Sequence, residues 1–101
     1  MASRTVSNTA SELILKNLLR KSWIVQNEDT AIDCYLRQEN LGDLSVSATI
    51  HDHRLGPGGL LSFALTDDGP EAVKSRWTII AASGTPRISF YETEEVVRSQ
   101  Q

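Results

Sequence analysis

Five clusters of turn-forming residues cut this chain into short segments, and that punctuation limits its possible folds more than any other feature. The clusters are Gln26-Asn27-Glu28-Asp29, Asn40-Leu41-Gly42-Asp43, Leu55-Gly56-Pro57-Gly58-Gly59, Asp67-Asp68-Gly69-Pro70 and Ser83-Gly84-Thr85-Pro86. Their residues tolerate positive φ or pre-set φ, which is what reversals require. They recur about every 12 to 16 residues, close to the rhythm of an all-β meander or sandwich.

The segments between them alternate, and strand side chains have period two. Leu44, Val46, Ala48 and Ile50 share one face against Ser45, Ser47, Thr49 and His51. Ile32, Cys34 and Leu36 oppose Asp33, Tyr35 and Arg37, and Leu61, Phe63 and Leu65 oppose Ser62, Ala64 and Thr66. Trp77 and Ile79 oppose Arg76 and Thr78; Ile88 and Phe90 oppose Ser89 and Tyr91. Five strands follow, in a mainly β domain built as an antiparallel sandwich or meander. The expected core is Leu15, Ile32, Cys34, Leu36, Val46, Ala48, Ile50, Leu61, Phe63, Leu65, Trp77, Ile79, Ile88 and Phe90.

Residues 11–22 read differently. Ile14, Leu15, Leu18 and Leu19 form an apolar stripe at helical spacing, with Ser11 as an N-cap. Read as a strand, Leu13 and Leu15 alternate but Leu18-Leu19 breaks the pattern. Local physics therefore favours an N-terminal helix over about residues 11–22 and an α+β variant of the fold. A single helical turn after Pro70, or a plain connection, is expected over Glu71 to Arg76.

The 101 residues suit one domain, with 40% hydrophobic and 23% charged residues, so the chain is expected to fold over residues 11–96. Residues 1–10 and 97–101 are small and polar and read as flexible tails. Ten Lys and Arg against thirteen Asp and Glu give a net charge of −3, which argues against a nucleic-acid partner. Like charges cluster in pairs such as Arg20-Lys21 and Glu94-Glu95. With Cys34 as the only cysteine, no intrachain disulfide or cysteine-based zinc site can form. No apolar run is long enough for a transmembrane helix, and residues 1–8 lack a signal peptide's apolar core. The expectation is a cytoplasmic protein, or one exported without a cleaved signal.

No catalytic constellation stands out, and no cofactor is expected. His51 and His53, at i and i+2, point the same way on a strand, as a metal or proton-transfer pair requires. The alternation assigns that face to solvent, and spacing supplies no third ligand. Gly56-Pro57-Gly58-Gly59 lacks the Lys-Ser/Thr of a phosphate loop and reads as a tight reversal. Cys34 lies on the Ile32/Leu36 face and reads as a small buried hydrophobe. Trp23 follows the basic residues Lys16, Arg20 and Lys21, so these four are the candidates for an amphipathic ligand-binding patch, with core packing the other role open to Trp23.

Leu15-Lys16-Asn17-Leu18, followed by Ser22-Trp23, resembles the early strand of the aegerolysins, which are small lipid-binding β-sandwich proteins. Gly56, Gly59, Ser62-Phe63, Leu65, Asp67, Gly69, Val73 and Trp77 are similar to that family's glycine and "SF-x-L-x-D" pattern and the tryptophan after it. The chain lacks the Trp-, Cys- and Pro-rich stretch that follows in the family, and a Gly-Lys after Trp23. The resemblance implies strand over residues 12–25 and a lipid or membrane surface as ligand. Three readings stand: a non-enzymatic binding module, an oligomerising structural or chaperone-like protein that binds protein, and a metal-dependent enzyme using His51 and His53.

Overall fold

The computed structural model describes residues 2–40, 42 and 44–94. The expected turn at residues 40–43 falls partly outside these residues, and the tail at 97–101 wholly outside. These described residues form eight strands: β1 Ala2–Thr5, β2 Ser11–Ile14, β3 Arg20–Asn27, β4 Cys34–Gln38, β5 His53–Leu55, β6 Leu60–Ala64, β7 Trp77–Ala81 and β8 Arg87–Glu94. One helix, α1, spans Leu65–Lys74. The strands form two four-stranded antiparallel sheets, ordered β1-β8-β3-β6 and β2-β7-β4-β5, packed face to face. Neighbours in each sheet are mostly distant in sequence, so the fold is a sandwich and not a meander. Only the connection from β4 to β5 stays within one sheet.

The alternation reads out as burial. Cys34 and Leu36 on β4 and Trp77, Ile79 and Ala81 on β7 point between the sheets, as do Trp23 and Val25 on β3. Phe63 stacks on Trp23 and Trp77, which are tilted against each other, and the three rings, at centroid distances of 4.8 to 5.3 Å, anchor one end of the core. Gly59, at the reversal into β6, donates its N–H to the Gly56 carbonyl at 2.8 Å, and a Cβ there would meet that same oxygen.

The structure corrects four expectations. Residues 11–22 are not helical: Ser11–Ile14 pairs with β7, and β3 begins at Arg20. Tertiary packing overrides the helical stripe, because Leu13 and Ile14 are buried while Leu15, Leu18 and Leu19 are exposed. The helix forms instead over Leu65–Lys74, so Leu65 leaves the strand pattern, and the turn expected after Pro70 is its second half. Gly69, at φ 81°, kinks it, a conformation only glycine adopts freely.

Residues 44–51 are not a strand. Ser47 and Ile50 exchange backbone hydrogen bonds in a tight turn, and Ser47 Oγ accepts from the N–H groups of Thr49 and Ile50. Such hydroxyls offer the backbone an alternative to a ladder. Both edges of β4 are already occupied, by β5 and β7. Val46 is buried, but Ala48 and Ile50 are exposed.

Residues 2–6, expected in a flexible tail, are structured. β1 pairs with β8, Val6 is buried, and Arg4 donates to the Glu12 carbonyl and Ser11 Oγ at 2.7 Å each, tying β1 to β2.

Candidate functional site

The loop from Leu15 to Leu19, between β2 and β3, combines an ordered backbone with exposed apolar side chains. Leu15, Leu18 and Leu19 are 66%, 67% and 46% exposed. Beneath them Arg20 is buried. Its guanidinium donates to Glu92 Oε2, to the carbonyls of Val73 and Ser75 at 2.9 and 3.1 Å, and to the Leu15 carbonyl. One side chain thus joins the loop, the end of α1 and β8.

A β-bulge explains how Arg20 reaches the interior. Ser22 pairs with Thr93 and Arg20 with Glu94, so β3 carries an extra residue at Lys21. Arg20 and Trp23, three residues apart, can then both point inward, and Lys21 is left exposed. Of the four patch residues, Arg20 is interior against expectation and Trp23 takes the core-packing role, while Lys16 and Lys21 are exposed at the surface.

The loop backbone is fixed at several points. Asn17 accepts from the Leu19 N–H through Oδ1 at 2.9 Å and from the Arg20 N–H through its carbonyl at 3.2 Å. Its own N–H donates to the Lys74 carbonyl, and its Nδ2 to Glu94 Oε2 at 2.7 Å. Lys74 Nζ donates to the Leu18 carbonyl at 2.7 Å. The turn is held from below while three leucines face outward.

His51 and His53 are not brought together. His53 is, with Leu55, an inward residue of β5, and its ring lies against Phe63 and Trp77 at 5.4 and 5.7 Å. His51 precedes the strand and lies against Tyr35, an outward residue of β4, at 4.6 Å. The i, i+2 relation fails because the strand begins only at His53. No group of three His, Cys, Asp or Glu with metal-binding geometry occurs among the described residues.

Among the described residues, two titratable groups have displaced pKa values. Burial pushes the Cys34 thiol up to about 11, with Asp29 and Asp33 adding in the same direction, so it is a poor nucleophile. Burial also pushes Glu39 upward, but hydrogen bonds from Ser45 and Thr78 and the charge of Arg37 outweigh it and hold this carboxyl below its ordinary value. Glu39 accepts from Thr78 Oγ1 at 2.7 Å, and from the Ser45 N–H and hydroxyl, which fastens the connection after β4 onto the second sheet. The cleft of about 460 Å³ beside Gln26–Thr30 and Pro57–Gly58 contains committed acids. Asp29 accepts from the N–H groups of Ala31 and Ile32, and Glu28 faces Arg87 at 3.6 Å.

No family model matches the chain, and no curated protein or solved structure matches it. The exposed leucines were the element that sequence patterning assigned to a helix stripe or to the core. Their signal was present in Leu18-Leu19, the pair that breaks strand alternation between Lys16 and Lys21.

Proposed function

We propose that this protein is a binding module that docks onto an anionic membrane surface through the Leu15–Leu19 loop. The observation that carries the reading is three exposed leucines on a pinned turn, with Lys16 after the first of them and Lys21 two residues beyond the last. Exposed apolar side chains grouped in this way mark interaction sites. Half-inserting each leucine contributes roughly 1 kcal/mol, and each lysine near an anionic surface about 1 kcal/mol. The total of about 5 kcal/mol is of the order of a single myristoyl chain, which gives marginal, reversible binding. The aegerolysin resemblance implies the same ligand class.

The test is co-sedimentation with vesicles of phosphatidylcholine alone and of phosphatidylcholine with phosphatidylserine. Binding to the anionic vesicles is expected, weakening as salt rises and lost in Leu18→Ser/Leu19→Ser with the fold intact by circular dichroism. Equal binding by that variant, or none by the native chain, contradicts the reading. A concentration-dependent dimer that the same variant abolishes assigns the loop to a second copy instead.

A further inference from the structure

The outer face of the first sheet differs in chemistry from every other face of the molecule. The registers of β6, β3 and β8 place nine outward side chains in a grid. Its rows are Ala64-Ser22-Thr93, Ser62-Ile24-Tyr91 and Leu60-Gln26-Ser89. None is charged. The outer face of the second sheet carries Arg37 and Arg54 and is overlaid by the connection after β4, through the Glu39–Ser45 contacts and the tilted His51–Tyr35 ring contact. Within the grid Tyr91 is 53% and Leu60 54% exposed, whereas Ser89, at its β1 side, is buried.

The geometry points to this face as a binding site for an uncharged oligosaccharide, independent of the leucine loop. An anionic ligand finds no partner within the grid, and the bordering carboxylates of Asp67 and Asp68 disfavour one. An apolar chain or lipid tail would bury the Ser62 hydroxyl without replacing its water, whereas the hydroxyls of Ser22 and Thr93 already pair with each other. A second copy fits poorly: three strands at ~4.8 Å spacing and about five residues at ~3.4 Å give a patch of roughly 240 Å². A stable protein interface needs about 800 Å² per partner.

A sugar chain matches on both counts, because each ring presents a C–H face and a rim of hydroxyls. Tyr91 and Ile24, side by side in register, supply the apolar platform. Ser62 and Gln26 supply short polar groups on either side. At one end the face runs into a groove of about 480 Å³ bounded by Tyr91, Ser62, Asp67 and Asp68. That volume lies in the small-ligand range of ~300–1,000 Å³. Asp68 already accepts from the Ala64 N–H at 2.9 Å, which leaves Asp67 to accept from sugar hydroxyls.

The test is a ¹⁵N NMR titration of the full chain with four neutral hexasaccharides: cellohexaose, maltohexaose, xylohexaose and chitohexaose. At least one is expected to shift the amides of residues 22–26, 60–64 and 89–93, with an affinity in the millimolar range or tighter. Tyr91→Ala and Asp67→Ala, both at exposed positions, each lower that affinity about five- to tenfold at unchanged Tm. Leu18→Ser leaves it unchanged, so this inference and the membrane reading fail separately. Absence of shifts with all four sugars, shifts elsewhere, or undiminished affinity in Tyr91→Ala overturns the inference. Broadening of the same amides with protein concentration alone also overturns it, by assigning the face to a second copy.

Discussion

The indole N–H groups of Trp23 and Trp77, on opposite sheets, donate to one acceptor, the Ala72 carbonyl, at 3.1 and 2.9 Å. Ala72 lies in the last turn of α1, where carbonyls have no partner within the helix. The two tryptophans, 5.3 Å apart, therefore close the core and cap the helix with the same contact. Replacing either by Phe leaves the carbonyl one donor; replacing both leaves none. Urea unfolding of the two single variants and the double should give a double cost exceeding the sum of the singles by about 1 kcal/mol. Strict additivity would mean that the shared acceptor couples nothing.

Arg20 makes four hydrogen bonds through one guanidinium, and Met in its place strands the carbonyls of Leu15, Val73 and Ser75. Arg20→Met is expected to cost about 3–5 kcal/mol, the range for breaking a buried charged network. Arg20→Lys recovers only part of this, since an ammonium lacks the guanidinium's planar fork of five donors. Denaturant midpoints of the two variants check the order.

Strand positions were legible wherever one face was buried along its whole length, as in Cys34–Gln38 and Trp77–Ala81. They were illegible where alternation was imitated without a partner. Leu44 to His51 alternates over eight positions, yet β4 has no free edge to pair with it. The leucines at 15, 18 and 19 misled in the opposite way, because apolarity predicts burial and cannot announce exposure. The inward turn of Arg20 depends on a bulge, which adds one residue and reverses a face without altering composition. The kinked helix was hidden because Gly69-Pro70 is a turn signal whether or not helical turns flank it.

Glu39 gives the fold an acid-sensitive contact. Its carboxyl titrates below its ordinary value of ~4.3 in the folded chain. A depressed carboxylate contributes stability above its unfolded pKa and loses it as pH falls through the folded value. Glu39→Gln should therefore cost about 1–3 kcal/mol at pH 6, and the difference from the native chain should shrink as pH falls from about 5 to 3. A difference independent of pH would remove Glu39 as the source.

Cys34 is wholly buried with its thiol at about 11, so alkylation by iodoacetamide at neutral pH should proceed only through unfolding. The labelling rate should rise with urea in parallel with the unfolded fraction. A fast, urea-independent reaction would contradict this placement.

That inertness makes the docking loop addressable by a single introduced thiol. The most direct measurement is the emission of a nitrobenzoxadiazole fluorophore attached through Leu18→Cys, with Ile50→Cys as the exposed control on the opposite sheet's overlying connection. With phosphatidylserine-containing vesicles, the account predicts a blue shift and brightening at position 18, reversed by salt, and no change at position 50. A fluorophore at position 18 that stays as water-exposed with vesicles as without them would contradict membrane docking through the leucine loop.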